Sequence, residues 1–140
     1  MQKKKTIYVT QSDMNRLEKL LELLEEQGDG RDQEHLLQLE EELHRAKVVA
    51  PQNIHPEVVT MNSKVRTKDL NTGKETIYHL VFPGDADAAN HKVSILAPIG
   101  TALIGFKAGD IVEWKAPAGM KQLKIEEVLY QPEAAGDFHL

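Results

Sequence analysis

The stretch Ser94-Ile95-Leu96-Ala97-Pro98-Ile99-Gly100-Thr101-Ala102-Leu103-Ile104-Gly105 carries the reading of the fold. It continues a strand expected over His91 to Leu96. Pro98 then opens, and Gly105 closes, a segment read as one short helix: proline suits the first helical position and glycine the residue past the end. Downstream, Gly109-Asp110 turns into a strand from Ile111 to Lys115, and Pro117-Ala118-Gly119 into another from Lys121 to Tyr130. Upstream, Val58 to Arg66 and Glu75 to Phe82 read as strands around an Asn71-Thr72-Gly73 turn, with Pro83-Gly84-Asp85-Ala86-Asp87 as a polar connection. The tail after Pro132 is weakly patterned. This half of the chain is expected to be a small antiparallel sheet with one short helix.

Before residue 50 the composition is different. From Thr10 to Lys47 there is no proline, and Leu and Glu dominate. Met14, Leu17, Leu21 and Leu24 step by 3, 4 and 3, with Leu20 widening the stripe, and Leu36, Leu39, Leu43 and Ala46 repeat the pattern. Two such stripes predict two amphipathic helices. Thr10 with Asp13 three residues on resembles a capping box, which starts the first helix near Gln11. Gly28-Asp29-Gly30 breaks the pattern, and Asp32 is placed to cap the second helix. The prediction is a short antiparallel coiled-coil hairpin, each arm roughly 16 residues and about 24 Å long at about 1.5 Å per residue. Val48 to Pro56, with two prolines, reads as an irregular connection. The expected organisation is α+β: a helical hairpin over 1–50, a linker over 51–57, and the sheet domain over 58–140.

The 140 residues carry 17 Lys plus Arg against 22 Asp plus Glu, a formal charge of −5. An acidic chain lacks the basic face with which an autonomous nucleic-acid binder displaces counterions, so no sequence-specific nucleic-acid binding is expected. The absence of cysteine removes disulfides, thiolate metal sites and cysteine nucleophiles together. Met1-Gln2-Lys3-Lys4-Lys5 is basic, but no apolar signal segment follows it, and nowhere do eighteen apolar residues run together. A cytoplasmic protein without a membrane partner is expected.

Catalysis finds no foothold in the residues. His35, His44, His55, His79, His91 and His139 share no metal-ligand spacing. Ser12, Ser63 and Ser94 lack a nucleophile-elbow context, and the glycines form neither a phosphate loop nor a dinucleotide fingerprint. No catalytic residue, metal or cofactor is therefore assigned. The hairpin tip holds one charged cluster: Glu25, Glu26, Asp29 and Asp32, with Arg31 among them. It suits an acidic tip presented to a metal or a basic partner, and it equally suits ordinary turn and cap residues.

Three pieces in fixed order, the 94–105 segment, Gly109-Asp110 and Ala116-Pro117-Ala118-Gly119, resemble the C-terminal domain of the GreA/GreB transcription elongation factor superfamily. Val58-Val59-Thr60-Met61-Asn62-Ser63, Leu80-Val81-Phe82-Pro83-Gly84 and Tyr130-Gln131-Pro132-Glu133-Ala134-Ala135-Gly136-Asp137 are similar to its Rnk branch. The resemblance implies an FKBP-like C-terminal domain behind a coiled-coil hairpin. It also implies binding to bacterial RNA polymerase, with the globular domain on the rim of the secondary channel.

Carried onto this sequence, the contact residues are Leu96, Ala97, Pro98, Ile99, Gly100 and Leu103. Ile99, Leu103 and Ile104 are also suited to fill the core beneath the short helix. Tip residues Asp29, Arg31 and Asp32 are further candidates for contacts inside the channel. Gre factors stimulate transcript cleavage with a long hairpin whose acidic tip helps hold a second magnesium ion. This hairpin is roughly half that length by helix rise, and Asp29-Gly30-Arg31-Asp32 sets an arginine between its acids. The expectation is a monomeric regulator that occupies the channel, competes with Gre factors and cleaves no RNA. The alternatives are an FKBP-like peptidyl-prolyl isomerase, a protein-binding module with another partner, and a direct regulator of nucleoside diphosphate kinase.

Overall fold

The computed structural model describes residues 6–27, 33–116, 118–137 and 140. The chain opens with a strand, β1 (Tyr8–Thr10), then runs through α1 (Gln11–Gln27) and α2 (Gln33–His44) into β2 (Lys47–Val49). β1 and β2 pair in parallel, Tyr8 with Lys47 and Thr10 with Val49, and close the base of the hairpin. Val48 and Val49 thus belong to a ladder rather than to an irregular connection. They are β-branched, and the Ile7 carbonyl holds the turn into them by accepting from the Lys47 N–H at 2.8 Å. A single 3-10 turn, Pro51–Asn53, follows.

The second part is a five-stranded sheet in the order β5-β4-β3-β7-β6. Its strands are β3 (Lys64–Asp69), β4 (Glu75–Val81), β5 (Lys92–Ser94), β6 (Ile111–Ala116) and β7 (Gly119–Tyr130). Neighbours are antiparallel except β4 and β5, which pair in parallel, His79 with Lys92 and Val81 with Ser94. The sheet is therefore mixed where a purely antiparallel one was expected. Two 3-10 turns, Pro83–Asp85 and Ala88–Asn90, lengthen the connection enough to bring β5 back in the same direction as β4. Helix α3 (Pro98–Leu103) follows β5, and a last short helix, α4 (Pro132–Ala135), follows β7. The sequence between Val58 and Ser63 is almost wholly buried yet forms no regular strand, contributing only a bridge from Val58 to Lys107.

The predicted leucine stripes do what their spacing implies. Met14, Leu17 and Leu21 meet Leu36, Leu39 and Leu43, and this seam is continuous with the core under the sheet, through Val59, Val65, Leu80, Ile95, Leu103 and Ile125. The two parts share one hydrophobic interior. Their backbones are also joined: the Gly105 carbonyl accepts from the Tyr8 N–H at 3.1 Å, while the Gly105 N–H donates to the Val59 carbonyl at 2.9 Å. Gly105 has φ of +82°, and a Cβ there would lie 2.6 Å from the Cβ of Ile7, so glycine is required on both counts.

Candidate functional site

The 94–105 segment leaves edge strand β5 and forms a platform across the sheet, with α3 packed against β6 as well as β5. Ala97 is extended and precedes Pro98, whose fixed φ and missing N–H suit the first turn of α3. The platform is tied down from below. The Ser94 carbonyl accepts from the Ala97 N–H at 3.0 Å, and Thr101 Oγ1 donates to the Ile95 carbonyl at 2.7 Å. Gly100 lets α3 sit directly on this turn, since a Cβ would stand only 2.1 Å from the Ser94 carbonyl oxygen.

The six candidate residues divide by position. Leu96, Ala97, Pro98 and Ile99 are half-buried and present a mostly apolar ledge, although Leu96 and Ile99 also pack against the core. Gly100 is buried, and Leu103 is 0% exposed in the interior. These two support the ledge instead of forming part of its surface, because the turn of a helix that faces the sheet cannot also face a partner. Arg45, just beyond α2, places its guanidinium 5.7 Å from the centre of the Phe106 ring, so the hairpin base borders the platform. Asp29, Arg31 and Asp32 lie outside the described residues.

A second feature, absent from the sequence reading, joins the hairpin to the globular part. Thr10 caps α1 by accepting from the Asp13 N–H at 3.1 Å, which is one half of the expected capping box. The Asp13 carboxylate serves a different purpose. It accepts from Arg16 at 2.6 Å and from the Met61 N–H at 3.0 Å, across 48 residues of sequence. Aspartate is one methylene shorter than the glutamate of a full capping box, and here its carboxylate bridges its own helix, at Arg16, to the Met61 N–H. Arg16 also donates to the main-chain oxygen of Leu140 at 2.8 Å and stacks 5.0 Å from the Phe82 ring centre.

Around Asp13 the 55–63 segment, largely buried from Val58 onward, is held by the C-terminal residues. Thr60 Oγ1 donates to Glu133 at 2.7 Å, and Gln131 Nε2 donates to the carbonyls of His55 and Val58, both at 2.8 Å. The weakly patterned tail is thus an anchored element, and Gln131 and Pro132 are buried. Burial pushes the Asp13 carboxyl above the ordinary carboxylate range, even though the Met61 N–H and Arg16 pull the other way. Burial likewise raises Glu133, with the nearby Asp13 charge adding to the effect. Burial lowers His79, whose Nε2 lies 3.1 Å from the Asn62 carbonyl oxygen.

Among the described residues no three His, Cys, Asp or Glu side chains converge as metal ligands, and no helix is long and apolar enough to cross a membrane. The described aromatic residues of the sheet domain are distributed over β4, the β4 exit, the α3 exit, β6 and the end of β7, at Tyr78, Phe82, Phe106, Trp114 and Tyr130.

Comparison with known proteins bears on the whole arrangement. Residues 53–130 match the model of the GreA/GreB transcription elongation factor C-terminal domain, and residues 5–49 match the Rnk N-terminus. The chain is 41% identical over 103 residues to the regulator of nucleoside diphosphate kinase of Escherichia coli K12, covering 73% of this chain and 76% of that protein. It is 41% identical over 93 residues to the transcription elongation factor GreA of Acetivibrio thermocellus, covering 66% of this chain and 58% of GreA. A solved structure of a prokaryotic GreA/GreB elongation factor from Nitrosomonas europaea superimposes with a TM-score of 0.73 at 43% identity, covering 89% of this chain and all of that one. The boundary between the two matched regions falls where β2 hands over to the sheet domain, and the α3 platform lies wholly within the second. The chain is a member of the GreA/GreB transcription elongation factor family, in the branch that carries an Rnk N-terminus.

Proposed function

We propose that this protein is a non-catalytic regulator of transcription elongation that binds bacterial RNA polymerase at the rim of the secondary channel. The ledge formed by Leu96, Ala97, Pro98 and Ile99 makes the contact, and Gly100 and Leu103 set its height and angle from beneath. By occupying the rim the protein excludes Gre factors by mass action, and it stimulates no transcript cleavage. The observation that carries this reading is the α3 platform itself: an apolar ledge, rigidly supported and bordered by the hairpin base, inside the region shared with the elongation factors.

The absence of cleavage follows from reach. The 17 residues of α1 span about 26 Å at about 1.5 Å per residue. Completing a metal's coordination needs ligand atoms in direct contact with it, and a tip held short of the ion supplies none. The tip residues Asp29, Arg31 and Asp32 then act as contacts near the channel mouth. The name of the Escherichia coli relative is accommodated indirectly, since altered elongation changes the amounts of many enzymes. The protein acts as a monomer in the cytoplasm.

The test is a double variant, Leu96→Ser with Ile99→Ser, titrated against bacterial core RNA polymerase beside the unaltered protein, with folding checked by circular dichroism. Loss of two apolar anchors at the centre of a contact weakens binding about tenfold or more. Unchanged affinity in a folded variant refutes the ledge as the contact surface.

A further inference from the structure

On the hairpin a groove of about 400 Å³ runs between the helices and ends at β2. Its floor is apolar: Met14, Leu21, Leu43, Ala46 and Val48. Leu17 and Leu39 seal the seam at 0% exposure, whereas Val48 stands 42% exposed at the open end. The rim is acidic, formed by Glu18, Glu22 and Glu25 of α1 and Glu40 of α2, with His44 beside them. None of these four glutamates has an ion-pair partner among the described residues; the cations of α1 and the α2 exit that do pair, Arg16 and Arg45, are engaged by Asp13 and Glu42.

This arrangement is unfavourable for the hairpin alone. Glu18 and Glu22 are four residues apart and Glu22 and Glu25 three apart, so like charges stack along one helix face. Glu25 sits in the last turn of α1, where no basic residue is present and the helix dipole is negative. A cation laid along the rim offsets both terms, and an apolar side chain on the floor removes chiefly Val48 from water, since Met14, Leu21 and Leu43 are already buried.

We infer that the α1–α2 groove is a docking site for a short basic amphipathic helix of another protein, its apolar side chains seated on Met14, Leu21, Leu43 and Val48 and its lysines or arginines paired with Glu18, Glu22, Glu25 and Glu40. The mode is helix-in-groove recognition, in which the charged rim selects the partner and burial of Val48 adds to affinity. It is independent of the polymerase reading, since the groove and the α3 ledge are built from different elements.

The probe is a synthetic peptide of about fifteen residues, with leucines at i, i+3, i+4 and i+7 and lysines elsewhere, titrated into the isotope-labelled full chain. Two control peptides replace the lysines by glutamate, or keep the composition and scatter the leucines. The expected result is binding of the first peptide alone, with amide shifts centred on Met14, Glu18, Leu21, Leu43 and Val48. Glu18→Lys with Glu22→Lys weakens it about tenfold, the scale of exposed pairs turned into repulsions. Glu113→Lys with Glu126→Lys makes the same change in net charge on the sheet and leaves affinity unchanged. Val48→Asp tests the floor and also weakens binding. Equal binding of the scattered peptide, equal loss in the sheet variant, or no binding at all overturns the inference. So does a dimer by sedimentation that Val48→Asp dissolves, which would make a second copy the occupant.

Discussion

Replacing Gly100 by alanine isolates the support of the platform from its surface. The backbone of Gly100 lies so close to the β5–α3 turn that a Cβ would stand 2.1 Å from the Ser94 carbonyl oxygen, 3.0 Å from its carbon and 3.1 Å from the Ile95 Cα. All three are main-chain atoms, so no side chain can swing aside. Relief requires α3 to lift, which stretches the Ala97-to-Ser94 and Thr101-to-Ile95 hydrogen bonds and partly uncovers Leu103. Overpacking of this kind costs about 1–3 kcal/mol. For a chain of this size that corresponds to a melting temperature lower by about 3–12 °C. Thermal denaturation by circular dichroism reads the shift, and a polymerase titration reads the displaced ledge as weaker binding. A Gly100→Ala protein melting within about 1 °C of the original would refute the claim that this contact fixes the platform.

Leu103→Ala opens a cavity under α3 and lowers stability by about 2–5 kcal/mol in chemical denaturation, marking the residue as interior. Asp13→Ala leaves the buried Met61 N–H without an acceptor and costs about 1–3 kcal/mol, whereas Asp13→Asn keeps an acceptor and costs less; denaturant midpoints compare the two. The raised carboxyls of Asp13 and Glu133 give a defined pH dependence. Their native values lie above the ordinary 3.8 and 4.5, so between those values and the native ones the folded state holds more protons than the unfolded one. Their contribution to stability is therefore fully present below the ordinary values and falls as pH rises through the native ones. Measured against an Asp13→Asn, Glu133→Gln variant, the original protein loses relative stability with rising pH across that window; a flat difference would contradict the burial of these groups.

Elements fixed by local chemistry were legible in the sequence. The leucine stripes, the Thr10 cap, the Pro98 start of α3 and the Gly109-Asp110 turn each depend on a few neighbouring residues, and each stands where the pattern placed it. What escaped depends on partners distant in sequence. β1 and β2 are three residues each and gain strand geometry only by pairing with one another. The parallel register of β5 comes from the length and 3-10 turns of its connection, and apolar alternation carries no sign of direction. Asp13 looks like a cap residue in a window of four, and only the fold brings Met61 to its carboxylate.

The same distinction applies to the candidate contacts. The 94–105 segment was identifiable as a unit, yet the separation of the half-buried Leu96-to-Ile99 edge from buried Gly100 and Leu103 needs the sheet beneath it. Gln131, which secures the 55–63 segment, gave no signal, because a lone glutamine in a tail is not distinguishable from a solvated one. Of the rim glutamates only Glu25 stood out in the sequence, within the tip cluster; Glu18, Glu22 and Glu40 were visible only as composition.

The most direct test of the account is a competition titration of the purified protein against bacterial core RNA polymerase, with a Gre factor as competitor and transcript cleavage followed in parallel. The account predicts saturable binding that the Gre factor displaces, with no cleavage of backtracked RNA by this protein. Binding that the Gre factor leaves untouched, or cleavage stimulated by this protein, would contradict it.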